Sequence, residues 1–152
     1  GNGWVGAGLV RVLSAIRKDD THRAESLADY TAMMAALIPI QRNDGYWNAS
    51  LHDSTNFSGK ELTGTSLFVY GMAWGINNKI LDKKTYQPIV TKAWNGMAKE
   101  SVHTNGFLGW VQGTGKEPKE SQPVTYDREP DFEDFGLGCF LLAGSEVYKI
   151  KR

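Results

Sequence analysis

Acidic side chains gather in the two longest stretches of the chain that lack a helical pattern. Eight of the carboxylates there are candidates for chemistry: Asp44, Asp53, Glu61, Asp127, Glu129, Asp131, Glu133 and Asp134. A glycoside hydrolase can use two such groups as acid and as base or nucleophile. The spacing singles out no pair among the eight. Each is by default a solvated loop charge, because Asp and Glu are mostly exposed in proteins.

Aromatic rings are the second group that could do chemistry. The chain holds five Trp, six Tyr and six Phe together with 17 Gly. Carbohydrate sites use flat rings because the C–H face of a sugar is apolar and its rim is polar. Rings also fill protein cores, and composition alone favours that second interpretation.

Histidine and cysteine indicate no metal, cofactor or nucleophile relay. Cys139 is the single cysteine, which excludes an internal disulfide and a multi-cysteine zinc site. His22, His52 and His103 lack helical metal-ligand spacing, so we expect no metal site. The run Gly113-Thr114-Gly115-Lys116 has no strand-to-helix context for a phosphate loop. The sequence also lacks a Gly-x-Ser-x-Gly nucleophile elbow.

Two polar residues in the first stretch have two interpretations each. His52, beside Asp53 and between Trp47 and Phe57, could orient a sugar hydroxyl or acid group, or it could cap a turn. Glu61 precedes a predicted helix and could point into a binding site. It could equally place an anion at a helix N-terminus, which is the more favoured interpretation.

Charge and hydropathy exclude two classes of partner. Lys and Arg total 17, as do Asp and Glu, so the formal net charge is zero and no surplus of cations is available for nucleic acid. No stretch approaches the roughly 18 apolar residues of a spanning helix, so we expect no membrane partner. No signal peptide opens the chain, and the compartment, cytoplasmic or periplasmic, stays open.

Five segments must position these side chains. Apolar spacing predicts helices over residues 2–17, 21–41, 63–77, 85–99 and 135–150, and the predicted class is all-α. The second and fourth segments are amphipathic, as outer helices are. The first, third and fifth are apolar around most of their circumference, which predicts burial. Pro88 falls in the first turn of the fourth segment, where a missing N–H costs nothing.

The order of these helices indicates hairpins stacked into a ring or solenoid, each with an inner and an outer member. Links from inner to outer helices are short, at 18–20 and 78–84. Links from outer to inner helices are long, at 42–62 and 100–134. We therefore expect both long links, and the functional site, at the end where the inner helices begin. A weak repeat supports this arrangement: the runs DGYW at 44–47 and NGFLGW at 105–110 each follow an amphipathic helix.

Several runs, in one order along the chain, carry a resemblance to a known family. They are GNGW at 1–4, ELTGTS at 61–66, YGMAWGIN at 70–77, KAW at 92–94, GWVQ at 109–112 and GLGCFLLAGSE at 136–146. Nearly from end to end, the chain resembles the unsaturated rhamnogalacturonyl hydrolases, glycoside hydrolase family 105, which are relatives of the unsaturated glucuronyl hydrolases. The resemblance implies an (α/α)6 barrel of six inner and six outer helices with the pocket at one end.

The resemblance also implies a substrate and a reaction. The substrate is an oligosaccharide with a terminal unsaturated uronic acid, left by a pectin lyase. An aspartate protonates its C4=C5 double bond, water adds at C5, and the resulting hemiketal opens to release the remaining sugar. No metal or other cofactor is needed. Trp4 matches a pocket-wall residue of the family, and Glu61, Thr63 and Trp110 are weaker substrate-binding candidates beside His52.

The chain departs from the family pattern in its extent. It shows five predicted helices, and no position matches the catalytic aspartate or the arginine that normally precedes the GNGW run. We therefore interpret residues 1–152 as a single domain forming the C-terminal portion of a barrel, inactive in isolation. The alternative is a carbohydrate-binding or structural remnant. Inner helices at the ends of a partial ring would expose apolar flanks, which predicts self-association or pairing with the missing N-terminal half.

Overall fold

The computed structural model describes residues 1–127 and 135–150, and this part of the chain is helical. Its α-helices are α1 (Asn2–Ala15), α2 (Arg23–Leu37), α3 (Leu62–Asn77), α4 (Lys83–Glu100) and α5 (Phe135–Ile150). Short 3-10 turns follow at Ile38–Ile40 and Pro118–Ser121. Outside the helices, the β-type pairing of the described residues consists of two isolated bridges, Trp47 with Glu61 and Val102 with Leu108. The predicted all-α class is confirmed.

The helices form two layers. In the inner layer, α3 lies between α1 and α5; in the outer layer, α2 packs on α1 and α4 packs on α3. Tyr30 joins the layers, because its hydroxyl donates to the Gly71 carbonyl at 2.7 Å and its ring meets Trp74 edge-on at 5.5 Å. Gly3 brings α1 close to α3, since a Cβ at Gly3 would lie 3.1 Å from the Cα of Gly64. The alternation of inner and outer helices predicted from the sequence is therefore present.

The charge-free third segment is buried on all sides, as predicted. Every residue of α3 from Leu62 to Ile76 is buried except Gly64, which is half-buried. The prediction for α1 and α5 is only partly correct, because each of these helices meets α3 along one flank and leaves another flank in solvent. The exposed apolar side chains are Trp4, Val5 and Val12 on α1 and Leu137, Leu141, Leu142 and Tyr148 on α5.

Capping residues explain where the helices differ from the predicted bounds. Helix α4 begins at Lys83 because the Asp82 carboxylate accepts from the backbone N–H of Thr85 at 2.8 Å and from its hydroxyl. Pro88 consequently lies inside α4, beyond the first turn where its position was predicted. Helix α2 ends at Leu37, since Pro39 turns the following residues into a 3-10 segment.

The expectations about membrane spans, metal sites and the single cysteine concern the following features of the structure. None of the described helices has the length and hydropathy to cross a membrane. The described residues hold no group of three or more His, Cys, Asp or Glu side chains arranged for a metal ion. Cys139 is buried in α5, and burial, with a smaller contribution from the nearby Glu61 charge, raises the pKa of its thiol to about 11. Cys139 is therefore a protonated core residue and a poor nucleophile at neutral pH.

Candidate functional site

The N-terminal ends of α1, α3 and α5 open into one cleft between the two long loops. An outer compartment of about 590 Å³ adjoins an inner compartment of about 190 Å³. Five residues line both compartments: Gly1, Trp4, Ala49, Thr63 and Gln112. The expectation that the long loops meet at the start of the inner helices is confirmed.

A repeated turn begins each long loop. In the first, the N–H of Gly45 donates to the carbonyl of Arg42 at 3.0 Å, and Gly45 has a φ of +92°. In the second, the N–H of Gly106 donates to the carbonyl of His103 at 2.9 Å, with a φ of +86° at the glycine. Asp44 and Asn105 also correspond, because each side chain accepts from the backbone N–H two residues later. The runs DGYW and NGFLGW, which repeat in the sequence, therefore also form the same turn in the structure.

Three aromatic rings line the outer compartment. Trp4 is 54% exposed, and its ring centroid lies 6.3 Å from that of Phe135 at the start of α5. Phe57 enters the same compartment from the first loop and is half-buried. Exposed rings beside polar groups are the surfaces that sugar faces pack against. Polar groups are supplied by Ser50 and Gln112, among others.

Glu61 and Thr63 form the floor of the inner compartment at the start of α3. The Glu61 carboxylate accepts from the backbone N–H groups of Thr63, at 2.6 Å, and Gly64, at 2.7 Å, and also from the Thr63 hydroxyl. Gly64 leaves the space for this carboxylate, because a Cβ there would lie 2.7 Å from Glu61 Oε2. Glu61 therefore caps α3 and also lines the inner compartment. The geometry is compatible with both interpretations of this residue.

Burial sets the protonation of Glu61. The side chain is 5% exposed, and loss of solvent raises the pKa of its carboxyl, while the hydrogen bonds from Thr63 and Gly64 lower it in part. Because the pKa is higher in the folded than in the unfolded chain, the protonated form is favoured by folding. The contribution of Glu61 to stability is therefore complete below its unfolded pKa of about 4.3 and is lost as the pH rises through the raised folded value.

Glu61→Gln tests this sign, because glutamine has nearly the same shape and does not titrate. We expect the free energy of unfolding of the wild-type chain, relative to that of Glu61→Gln, to fall as the pH is raised from about 4 and then to level off. Urea unfolding at a series of pH values measures the difference. A difference that stays constant between acid and neutral pH would contradict the raised pKa.

Trp110 and His52 lie outside the two cleft compartments. The Trp110 carbonyl accepts from the N–H of Leu62 at 2.8 Å, its indole N–H donates to the Glu100 carbonyl at 3.2 Å, and its φ is +61°. Trp110 therefore supports the first turn of α3. His52 is exposed and lines a neighbouring depression, which shares Ser50 with the outer compartment. The cleft thus unites Trp4, Glu61 and Thr63 of the predicted set, and the substrate-binding role of all five residues stays a prediction.

The other candidate carboxylates lie in different parts of the chain, outside the cleft or outside the described residues. Asp44 pairs with Arg42 at 2.8 Å, and Asp53 accepts from the backbone and hydroxyl of Thr55. Asp127 is exposed. The other four, Glu129, Asp131, Glu133 and Asp134, lie outside the described residues. The sequence did not single out Glu117, an exposed cleft residue that pairs with Lys119 at 2.7 Å.

Other cleft residues were also missed by sequence reasoning. Gln112 belongs to the GWVQ run, so its place in a family motif was the available signal. Phe57 stands two residues before Gly59, and a ring near a turn glycine was its only signal. The second loop carries its cleft residues because it is tied back on itself: the N–H of Trp110 donates to the Thr125 carbonyl at 3.1 Å, and His103 stacks on Tyr126 at 3.7 Å.

Comparison with known proteins places the chain among glycoside hydrolases. An unsaturated 3S-rhamnoglycuronyl hydrolase from Formosa agariphila is 36% identical over 152 residues, which cover 100% of this chain and 38% of that protein. A protein of the same name from Alteromonas sp. (strain LOR) is 35% identical over 147 residues, covering 97% of this chain and 34% of that protein.

A solved structure agrees with the sequence relatives. A glycosyl hydrolase family 88 protein from Bacteroides vulgatus superimposes with a TM-score of 0.87 at 36% identity, over 97% of this chain and 42% of that one. The chain therefore spans less than half the length of each of these relatives, and its paired inner and outer helices form part of an (α/α)6 barrel. A family model described as Glycosyl Hydrolase Family 88 matches residues 1–151. The resemblance seen in the sequence is thus confirmed, and the chain belongs to the Glycosyl Hydrolase Family 88.

Proposed function

We propose that this chain forms one wall of the substrate cleft of a hydrolase that acts on oligosaccharides with a terminal unsaturated uronic acid. The observation that carries the proposal is the cleft at the N-terminal ends of α1, α3 and α5, with the exposed ring of Trp4 between its two compartments. The Formosa and Alteromonas relatives are named for unsaturated rhamnoglycuronyl substrates, which supports the same substrate class.

The proposed reaction needs one carboxylic acid beside the C4=C5 bond of the substrate. Among the described residues, Glu61 and Glu117 are the carboxylates that line the cleft. Glu61 is held by the first turn of α3, and Glu117 by Lys119. These contacts support a division of labour in which the chain binds and orients the sugar, and the acid comes from the rest of the barrel. In this proposal residues 1–152 are one domain unit that is inactive by itself, with no metal or cofactor in the reaction.

A carbohydrate-binding or structural role without catalysis is the second candidate. The hydrogen bonds of Glu61 favour it, because they give this carboxyl a capping role within the chain. A sugar-binding remnant would bind the substrate as the first candidate does, whereas a structural remnant would not. In neither form of the second candidate does a complementary half restore turnover, so activity is the measurement that separates the candidates.

Absorbance of the double bond tests the proposed function. We expect an unsaturated galacturonyl–rhamnose disaccharide to keep its ultraviolet absorbance with the pure chain and to lose it when the N-terminal half of a family member is added. Loss of absorbance with the chain alone would contradict the proposed division of labour. Glu61→Gln and Asp53→Asn would then locate the acid among the described residues.

Trp4→Ala tests the cleft wall directly. We expect the dissociation constant of the disaccharide, measured by titration calorimetry, to rise by about tenfold or more, since an aromatic face that a sugar covers contributes roughly 1.5–3 kcal/mol. Trp4→Phe should recover part of the affinity. Tyr148→Ala, an exposed ring near the opposite end of α5, is the matched control and should bind as the wild type does. Equal affinity in Trp4→Ala would remove Trp4 from the site.

The exposed flanks of α1 and α5 underlie a proposal about assembly. Val5 and Val12 are 56% and 43% exposed on α1, and Leu141 is 59% exposed on α5. Such surfaces associate in water. We expect the chain to pair with a second copy or with a complementary barrel half, which sedimentation velocity measures. Monomers at all concentrations, with no binding of an apolar dye, would contradict the proposal.

A further inference from the structure

Phe57 holds a backbone conformation that its side chain type disfavours. Its φ is +49°, in the left-handed region, where bulky residues are uncommon because Cβ approaches the following carbonyl. Such conformations cluster at binding sites and persist only where the surroundings impose them. Here the result is a half-buried ring that enters the outer compartment of the cleft.

A polar clamp at the base of the loop imposes this conformation. The side-chain carbonyl of Asn48 accepts from the N–H of Gly59 at 3.1 Å, which closes residues 48–59 into a compact loop. The same oxygen accepts from Arg42 Nη1 at 2.8 Å, and Arg42 is in turn held by Asp44. At the far side of the loop, Asp53 accepts from the N–H of Thr55 at 2.9 Å and fixes a second turn.

The two compartments give Phe57 a place along the substrate. The inner compartment reaches Glu61 and Phe68 at the floor, and Phe57 does not line it. The outer compartment holds Phe57 together with Gly113, Gly115 and others from the second loop. An enzyme that acts on a terminal residue admits that residue first and deepest. The sugar that follows it then lies in the outer compartment.

We propose that Phe57 is the platform for the sugar that leaves, and that Arg42 positions Phe57 by holding Asn48. The proposal rests on the proposed function of the cleft and adds a specificity determinant to it. Trp4 lies between the compartments and meets the terminal uronate, while the face of Phe57 packs on the C–H surface of the next sugar. The strained loop keeps the ring in place before the substrate binds, which lowers the ordering cost of binding.

Two ligands distinguish this role from a general contribution to the cleft. They are the methyl glycoside of the unsaturated uronate, which lacks a second sugar, and the unsaturated galacturonyl–rhamnose disaccharide. We expect Phe57→Ala to raise the dissociation constant of the 152-residue chain for the disaccharide by about tenfold and for the methyl glycoside by less than about twofold. Phe57→Tyr, which keeps the ring, should bind both ligands as the wild type does.

Phe57→Gly separates binding from folding. Glycine accepts a positive φ without strain, so we expect this variant to keep or raise the melting temperature while it binds the disaccharide as weakly as Phe57→Ala. Arg42→Ala should weaken disaccharide binding in the wild-type background and have no further effect in Phe57→Ala. That non-additivity identifies positioning through Phe57, since a purely structural role for Arg42 would persist in both backgrounds.

The outcomes distinguish this inference from the proposed function. If the wild-type chain binds the disaccharide and Phe57→Ala binds it equally well, the platform role is overturned and the proposed function stands. If Phe57→Ala weakens both ligands by the same factor, Phe57 belongs to the terminal-sugar site and the inference is again overturned. If the wild-type chain binds neither ligand, the proposed cleft function fails together with the inference.

Discussion

Trp47→Ala is expected to lower the free energy of unfolding by about 3–5 kcal/mol, the usual range for a large buried ring replaced by alanine. Trp47 is 1% exposed, and its ring meets Phe68 edge-on at 5.5 Å. Its indole N–H donates to the Leu37 carbonyl at 2.8 Å, and its backbone N–H donates to the Thr65 hydroxyl at 3.0 Å. The substitution leaves a cavity and removes the donor of the Leu37 carbonyl, whereas the backbone bond to Thr65 is kept. Urea unfolding measures the loss.

Two other variants calibrate the effect of Trp47→Ala. Trp47→Phe keeps most of the apolar volume and removes the indole N–H, so it should cost roughly 1–3 kcal/mol for the orphaned carbonyl of Leu37. Trp94→Ala removes a half-buried ring that stacks on Phe140 and should cost less than Trp47→Ala. If Trp47→Ala and Trp94→Ala cost the same, the burial of Trp47 and its indole hydrogen bond do not add the stability expected of them.

Gly45→Ala is expected to cost about 2–5 kcal/mol, which sums the strain of a left-handed residue and the clash of an added Cβ. That Cβ would lie 2.5 Å from the carbonyl oxygen of Lys92, and backbone atoms cannot move aside as a flexible side chain can. The same contact is tight from the other side, because a Cβ at Gly96 would lie 2.4 Å from the Asp44 carbonyl oxygen. The first turn thus sits directly on α4.

Gly106 supplies the matched control, since it occupies the corresponding place in the second turn. Its φ of +86° is close to that of Gly45, yet a Cβ there would meet no atom within 4 Å. Gly106→Ala should therefore cost only the strain, about 1–2 kcal/mol. The difference between the two variants measures the contact of the turn with α4. Equal losses in the two variants would mean that the helix accommodates the methyl group.

Helices could be predicted from the sequence where the burial of one face, or of all faces, sets the spacing of the apolar residues. The charge-free run of α3 led to a helix within one residue of its observed start, because no other placement hides so many apolar side chains. For α1 and α5 the same logic predicted the helices but not their full exposure, because their apolar surface exceeds what their neighbours in this chain cover. The sequence of a helix shows how much apolar surface it could bury, whereas the neighbouring helices determine how much is buried.

The candidate site was predictable in its location and less so in its members. The lengths of the loops predicted that both meet at the start of the inner helices, and a cleft lies there. The positions of Trp110 and Phe57 could not be predicted from the sequence. Trp110 is held by hydrogen bonds to residues far apart in the chain, and Phe57 is held by the clamp at the base of its loop. Trp110 supports Leu62 and its substrate-binding role stays a prediction, while Phe57 carried no motif and lies in the cleft.

The missing side chain at Gly64 leaves room for the Glu61 carboxylate, since the atoms nearest to a Cβ there belong to Glu61 and Phe68. The close approach of α1 depends on a different glycine, because a Cβ at Gly3 would lie 3.1 Å from the Cα of Gly64. In evolutionary terms the two positions are therefore separable. A methyl group at Gly64 would disturb the floor of the cleft, and a methyl group at Gly3 would disturb the seam between the two helices.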